Sequence, residues 1–91
     1  MSENIRKNSN LIGLCFKSYI TPIETIEGFA IGKKCLCEVA VNTTLGIFIL
    51  KLFNQNMESI GLIAVNGQIA SEDRILLEGD QVDIYGFMIG G

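Results

Sequence analysis

Apolar positions along this chain come in short runs with two different periods. Leu11 to Ile20, "LIGLCFKSYI", is rich in β-forming residues and stops just before Pro22, which predicts a first strand. From Lys33 to Val41, Cys35, Cys37, Val39 and Val41 alternate with Lys34, Leu36, Glu38 and Ala40. A period of two predicts a second strand with its sulfurs turned towards a core. The stretch "NTTLGIFILKLFNQN" carries a continuous apolar run that suits either a buried strand or a buried helix. Leu45, Phe48, Ile49, Leu52 and Phe53 share one helical stripe, Asn42 or Thr43 supplies a cap, and the Asn54 to Asn56 region supplies a stop, so a helix is expected. Gly46 weakens that helix by about 1 kcal/mol relative to alanine, and Ile47 and Leu50 fall off the stripe.

Gly61 to Val65 reads as a short strand, Asn66-Gly67 as a tight hairpin turn in which both residues tolerate positive φ, and Gln68 to Ala70 as the returning strand. "SEDRILLEGD" reads as a polar turn, then two or three buried residues among Ile75, Leu76 and Leu77, then a reversal at Glu78-Gly79-Asp80. In the last strand Val82 and Ile84 alternate with Gln81, Asp83 and Tyr85. The order β-β-α-β-β-β predicts an α+β domain with one helix laid across a mixed sheet.

With 91 residues the chain makes one domain that buries about 60–65% of the surface its unfolded form exposes. Residues 1–10, "MSENIRKNSN", are polar and read as a flexible leader ahead of a single domain over residues 11–91. No export signal is indicated, and no apolar run approaches the roughly 20 residues that cross a bilayer. A cytoplasmic protein without a membrane partner is expected. The formal net charge of -3, with no Lys/Arg cluster, argues against nucleic acid as a partner. Histidine is absent, which removes the usual neutral-pH acid/base and the commonest metal ligand. The three cysteines, Cys15, Cys35 and Cys37, are too few for a two-iron cluster and read as small buried apolar residues in a reducing compartment. Lys33-Lys34 reads as a solvated strand end, and Glu72, Asp73, Glu78, Asp80 and Asp83 as charges able to steer a basic partner.

Three features taken in order suggest a family: "AVNG" at Ala64 to Gly67, "LLEGDQVDIY" at Leu76 to Tyr85, and the final Gly90-Gly91. Together with the order of elements they resemble the MoaD/ThiS family of ubiquitin-like sulfur carriers, most closely from the second strand onward. The resemblance implies a β-grasp fold with a mixed sheet of four to five strands and one main helix packed across it. It also implies a carrier with no catalytic residue, metal or bound cofactor of its own. An E1-like adenylating enzyme, using ATP and Mg, would activate the Gly91 carboxylate, and sulfur from a persulfide would then displace AMP to leave a thiocarboxylate. The carrier would deliver that sulfur to a sulfur-accepting synthase subunit.

Gly90 and Gly91 suit passage through a narrow channel, because glycine lacks Cβ and adopts extended or positive-φ shapes at little steric cost. Docking falls to Tyr85, Phe87, Met88 and Ile89, unless Phe87 and Ile89 complete the core and only Met88 faces outward. The free carrier is expected to be a monomer. The pathway is molybdenum or tungsten pterin cofactor synthesis, as the small subunit of molybdopterin synthase, or thiazole formation for thiamine. A non-catalytic ubiquitin-like binding module is the alternative from another class.

Overall fold

A computed structural model describes residues 10–87. Alternation governs the first strand, β1 (Leu11–Ser18), where Leu14, Phe16 and Ser18 are buried on one face. Ser18 is a polar residue in that core, and it is satisfied locally. Its Oγ donates to the Ile20 carbonyl (2.6 Å) and accepts from the Ile20 N–H (3.0 Å), which turns the chain at the end of the strand.

β2 (Cys35–Ala40) pairs antiparallel with β1, placing Cys35 opposite Phe16, Cys37 opposite Leu14 and Val39 opposite Ile12. Only Cys35 of the expected inward set is fully buried. Cys37 and Val39 are half-buried, and Val41 lies beyond the strand and is exposed. Cys15 is on the opposite face of the sheet from Cys35 and Cys37, since it pairs with Leu36, and it too is only half-buried. The expectation of buried sulfurs therefore holds for Cys35 alone.

The ambiguous apolar run is a helix, α1 (Leu45–Phe53). Leu45, Phe48, Ile49 and Phe53 are buried and Leu52 is half-buried, while Ile47 and Leu50 are exposed, so the stripe packs as its spacing predicts. The cap differs from expectation. Thr44 caps the helix, with its Oγ1 accepting from the Ile47 N–H at 3.3 Å. Asn42 (φ 73°) and Thr43, whose Oγ1 donates to the Ala40 carbonyl, are spent on the preceding turn. Asn54 ends the helix in the left-handed conformation, φ 56°. A second, short helix, α2 (Met57–Ile60), was not foreseen, because four residues are too few to show a period.

β3 (Leu62–Val65) and β4 (Gln68–Ile69) form the expected hairpin, with positive φ at both Asn66 (54°) and Gly67 (84°). β5 (Gln81–Gly86) buries Val82 and Ile84. The five-stranded sheet has the order β2-β1-β5-β3-β4. β5 lies at its centre, parallel to β1 and antiparallel to β3. The result is an α+β fold with a mixed sheet.

The helix and the loop after β1 cover one face. Phe16 meets Phe48 edge-on at 5.8 Å and stacks with Phe29 at 6.1 Å. The Ile23 N–H ties that loop to the Leu52 carbonyl at 3.0 Å. Among Ile75, Leu76 and Leu77 only Leu76 is buried. The segment runs extended beside the entry to α1, with the Leu76 N–H donating to Thr43 and Leu45 N–H to Arg74, so its neighbours turn outward. No helix among the described residues is long and apolar enough to cross a membrane.

Candidate functional site

The sheet face away from α1 carries Cys15, Lys17 and Tyr19 from β1 and its end, and Gln81, Asp83 and Tyr85 from β5, as the register of Cys15 with Gln81 and Lys17 with Asp83 requires. Where β5 ends, this face becomes apolar. Tyr19 and Tyr85 stack at 5.6 Å with their rings 11° apart. Tyr19, Gly61, Leu62, Tyr85, Gly86 and Phe87 together line an open depression of about 730 Å³. Phe87 is 62% exposed, so it does not complete the core.

Backbone geometry fixes this ledge. The register shifts between Leu62 and Ile63, which pair with Gly86 and Ile84 respectively, so Tyr85 is the extra residue of a bulge. Gly86 has φ 73°, and a Cβ there would stand 2.8 Å from the side chain of Ile20. Gly61 has φ 133°, and a Cβ there would lie 2.7 Å from Gly86 Cα and from Phe87 N. Both positions demand glycine, and together they set the direction in which the chain leaves β5. Tyr19 is backed by Gly32, where a Cβ would come within 3.1 Å of its ring.

The two turns quoted above for the family resemblance hold each other. Asp80 is only 5% exposed. Its Oδ1 accepts from Asn66 Nδ2 at 2.9 Å, and its Oδ2 accepts from the Leu77 N–H at 2.8 Å and Arg74 Nη2 at 3.1 Å. Asn66 Oδ1 accepts from the Gln81 N–H, also at 2.9 Å. Burial alone would raise the Asp80 carboxyl, but the bonds from Leu77, Asn66 and Arg74 and the Arg74 charge outweigh it and hold the group below its ordinary value. Asp80 is therefore a clamp within the fold and not one of the steering charges expected of it. Glu78 is also engaged, accepting from the Gly13 N–H at 2.8 Å, while Gly79 N–H donates to the Gly13 carbonyl.

Of the residues expected to dock or react, Tyr85 and Phe87 meet on this ledge, and Met88, Ile89, Gly90 and Gly91 lie outside the described residues. The sequence pattern did not point to Tyr19, Gly61, Leu62 or Gly86. Tyr19 is in step with Cys15 and Lys17, which would have put it on the outer face.

Chemistry elsewhere is sparse. Burial, the neighbouring Cys35 and Cys15 thiols and Glu38 push the Cys37 thiol up to about 11. It stays protonated at neutral pH and is a poor nucleophile. No group of metal-ligating side chains occurs among the described residues. Comparison with protein-family models and with curated proteins gave no match. The ledge presents an exposed, largely apolar and aromatic surface.

Proposed function

We propose that this protein is a ubiquitin-like β-grasp sulfur carrier of the MoaD/ThiS type, which carries sulfur on the carboxylate of Gly91. What supports the reading most is the sheet itself: an antiparallel β1–β2 pair, a helix across one face, and β5 parallel to β1 at the centre, an arrangement compatible with a β-grasp. That topology ends β5 at an aromatic ledge that includes Phe87, four positions before Gly91 in the sequence.

In this reading the ledge docks against an E1-like enzyme. The Gly91 carboxylate, with an ordinary pKa of about 3.3–3.7, is anionic at neutral pH and attacks the α-phosphate of ATP, releasing pyrophosphate. A persulfide sulfur then displaces AMP, and a thiol reductant frees the thiocarboxylate. The carrier needs no base of its own, which agrees with a chain lacking histidine. The long connection between β1 and β2 favours the pterin pathway over thiazole formation.

Incubation with the cognate E1-like enzyme, ATP, Mg and a sulfur donor is expected to raise the intact mass by one oxygen-to-sulfur exchange, with the label on the last peptide. An unchanged mass with the authentic partner overturns the proposal. Should a partner bind the ledge without any mass change, a non-catalytic binding module becomes the better account.

A further inference from the structure

β2 is one edge of the sheet, and no strand among the described residues pairs with its outer side. Which of its backbone groups face outward follows from the pairing on the inner side. Val41 N–H donates to the Asn10 carbonyl at 2.9 Å. Hydrogen-bonded pairs recur every second residue in an antiparallel ladder, so Ile12/Val39, Leu14/Cys37 and Phe16/Cys35 are bonded to each other. The intervening residues of β1 agree, since the Gly13 and Cys15 N–H groups donate to Glu78 and Asp80 on the β5 side. Leu36 and Glu38 therefore point their N–H and C=O groups away from β1, towards solvent.

The same two residues, with Lys34 just before the strand, share the open face of the sheet. Leu36 is 83% exposed, the most of any large apolar side chain among the described residues. Lys34 lies two positions before it and Glu38 two positions after it, and both are exposed. The edge has no proline and no recorded bulge to bar a further strand.

We propose that β2 is a self-pairing edge, and that two copies of this chain associate by antiparallel β2–β2 pairing about a two-fold axis at Leu36. In that register each Leu36 lies opposite Leu36 of the other copy, and each Lys34 lies opposite the other copy's Glu38. The outward-facing backbone groups of these residues meet as hydrogen-bonded pairs. Neighbouring registers lack this match. An axis at Glu38 opposes two carboxylates, and an axis at Cys37 sets Leu36 against Glu38. An isologous contact must be self-complementary, and one apolar residue flanked symmetrically by opposite charges satisfies that condition. The other sheet edge, β4, has two residues and offers no such length. The ledge at Tyr85 lies across β1 from this edge and stays uncovered. The association departs from the monomer expected of the sequence, and so short a contact makes it weak.

Sedimentation velocity from micromolar to millimolar protein is expected to show a reversible monomer–dimer equilibrium. Leu36→Asp should weaken it about tenfold or more, with an unchanged circular dichroism spectrum because the side chain is exposed. Lys34→Glu and Glu38→Lys should each weaken it, and the double variant should restore it. Amide exchange of Leu36 and Glu38, but not of Cys35 and Cys37, should slow as concentration rises. These charges would act as a guard against pairing if the protein is a monomer throughout the range, and that result overturns the proposal. A dimer indifferent to Leu36→Asp, or one that the double charge reversal does not restore, also overturns it.

Discussion

Asp80 shows how one side chain joins two distant turns. Its carboxylate accepts from the hairpin through Asn66 and from its own turn through the Leu77 N–H and Arg74. Arg74 is partly exposed and adds little beyond geometry, so the bonds to neutral donors dominate. Because the folded carboxyl titrates below its ordinary 3.8, this contribution is present above that value and is lost as the pH falls through the lower folded one. Asp80→Asn should cost about 1–3 kcal/mol at neutral pH, since an amide nitrogen would face donors. It should also flatten the loss of stability between pH 5 and 3, a range spanning the ordinary aspartate value. Urea unfolding of both proteins across that range measures this; parallel pH profiles would show that Asp80 is not the group responsible.

At the scale of elements, the legible parts were those whose period runs long enough to count. The stripe of α1 was readable because five apolar positions repeat at helical spacing over nine residues, and the hairpin because Asn66-Gly67 names its own turn. The cap was misplaced because Asn42, Thr43 and Thr44 all suit the position, and only the turn that uses Asn42 and Thr43 leaves Thr44 free for it. Ile75 and Leu77 were overcounted because a short apolar run conceals an extended segment with alternating faces. Gly46 looked like a flaw in α1 and is a contact. Its N–H donates to the Glu72 carbonyl at 2.9 Å, and a Cβ there would sit 3.0 Å from Glu72 Cβ and 3.1 Å from Glu72 O. Propensity alone credits Gly46→Ala with a gain of about 1 kcal/mol. The contact predicts no gain and a melting temperature equal to or below the parent's. A rise of several degrees on thermal unfolding would show that Glu72 moves aside freely.

On the scale of the molecule, the candidate site was half legible. Tyr85 follows from its alternation with Val82 and Ile84, and Phe87 from its place after them, but Tyr19 and Leu62 join them only through the pairing of β5 with β1 and β3. Strand order across the whole chain is not encoded in any local pattern, so no reading of periods could place Tyr19 against Tyr85. The arrangement separates the core from the ledge: the buried face of β5 holds Val82 and Ile84, and its open face and exit hold the ledge. Substitution at an exposed ledge residue should therefore leave the fold alone. Phe87→Asp is expected to keep the melting temperature within about 2–4 °C, a surface effect of under about 0.5 kcal/mol. If the ledge is the docking surface of the carrier, the same change removes an apolar anchor worth about 1–2 kcal/mol. The carrier concentration that half-saturates the E1-like enzyme should then rise about tenfold while the saturated rate is kept, because the reacting carboxylate is untouched. A steady-state titration of adenylation against carrier concentration separates the cases. A fall in the saturated rate at constant half-saturation would place Phe87 in the positioning of the tail instead of the first contact, and no change in either would remove the ledge from recognition.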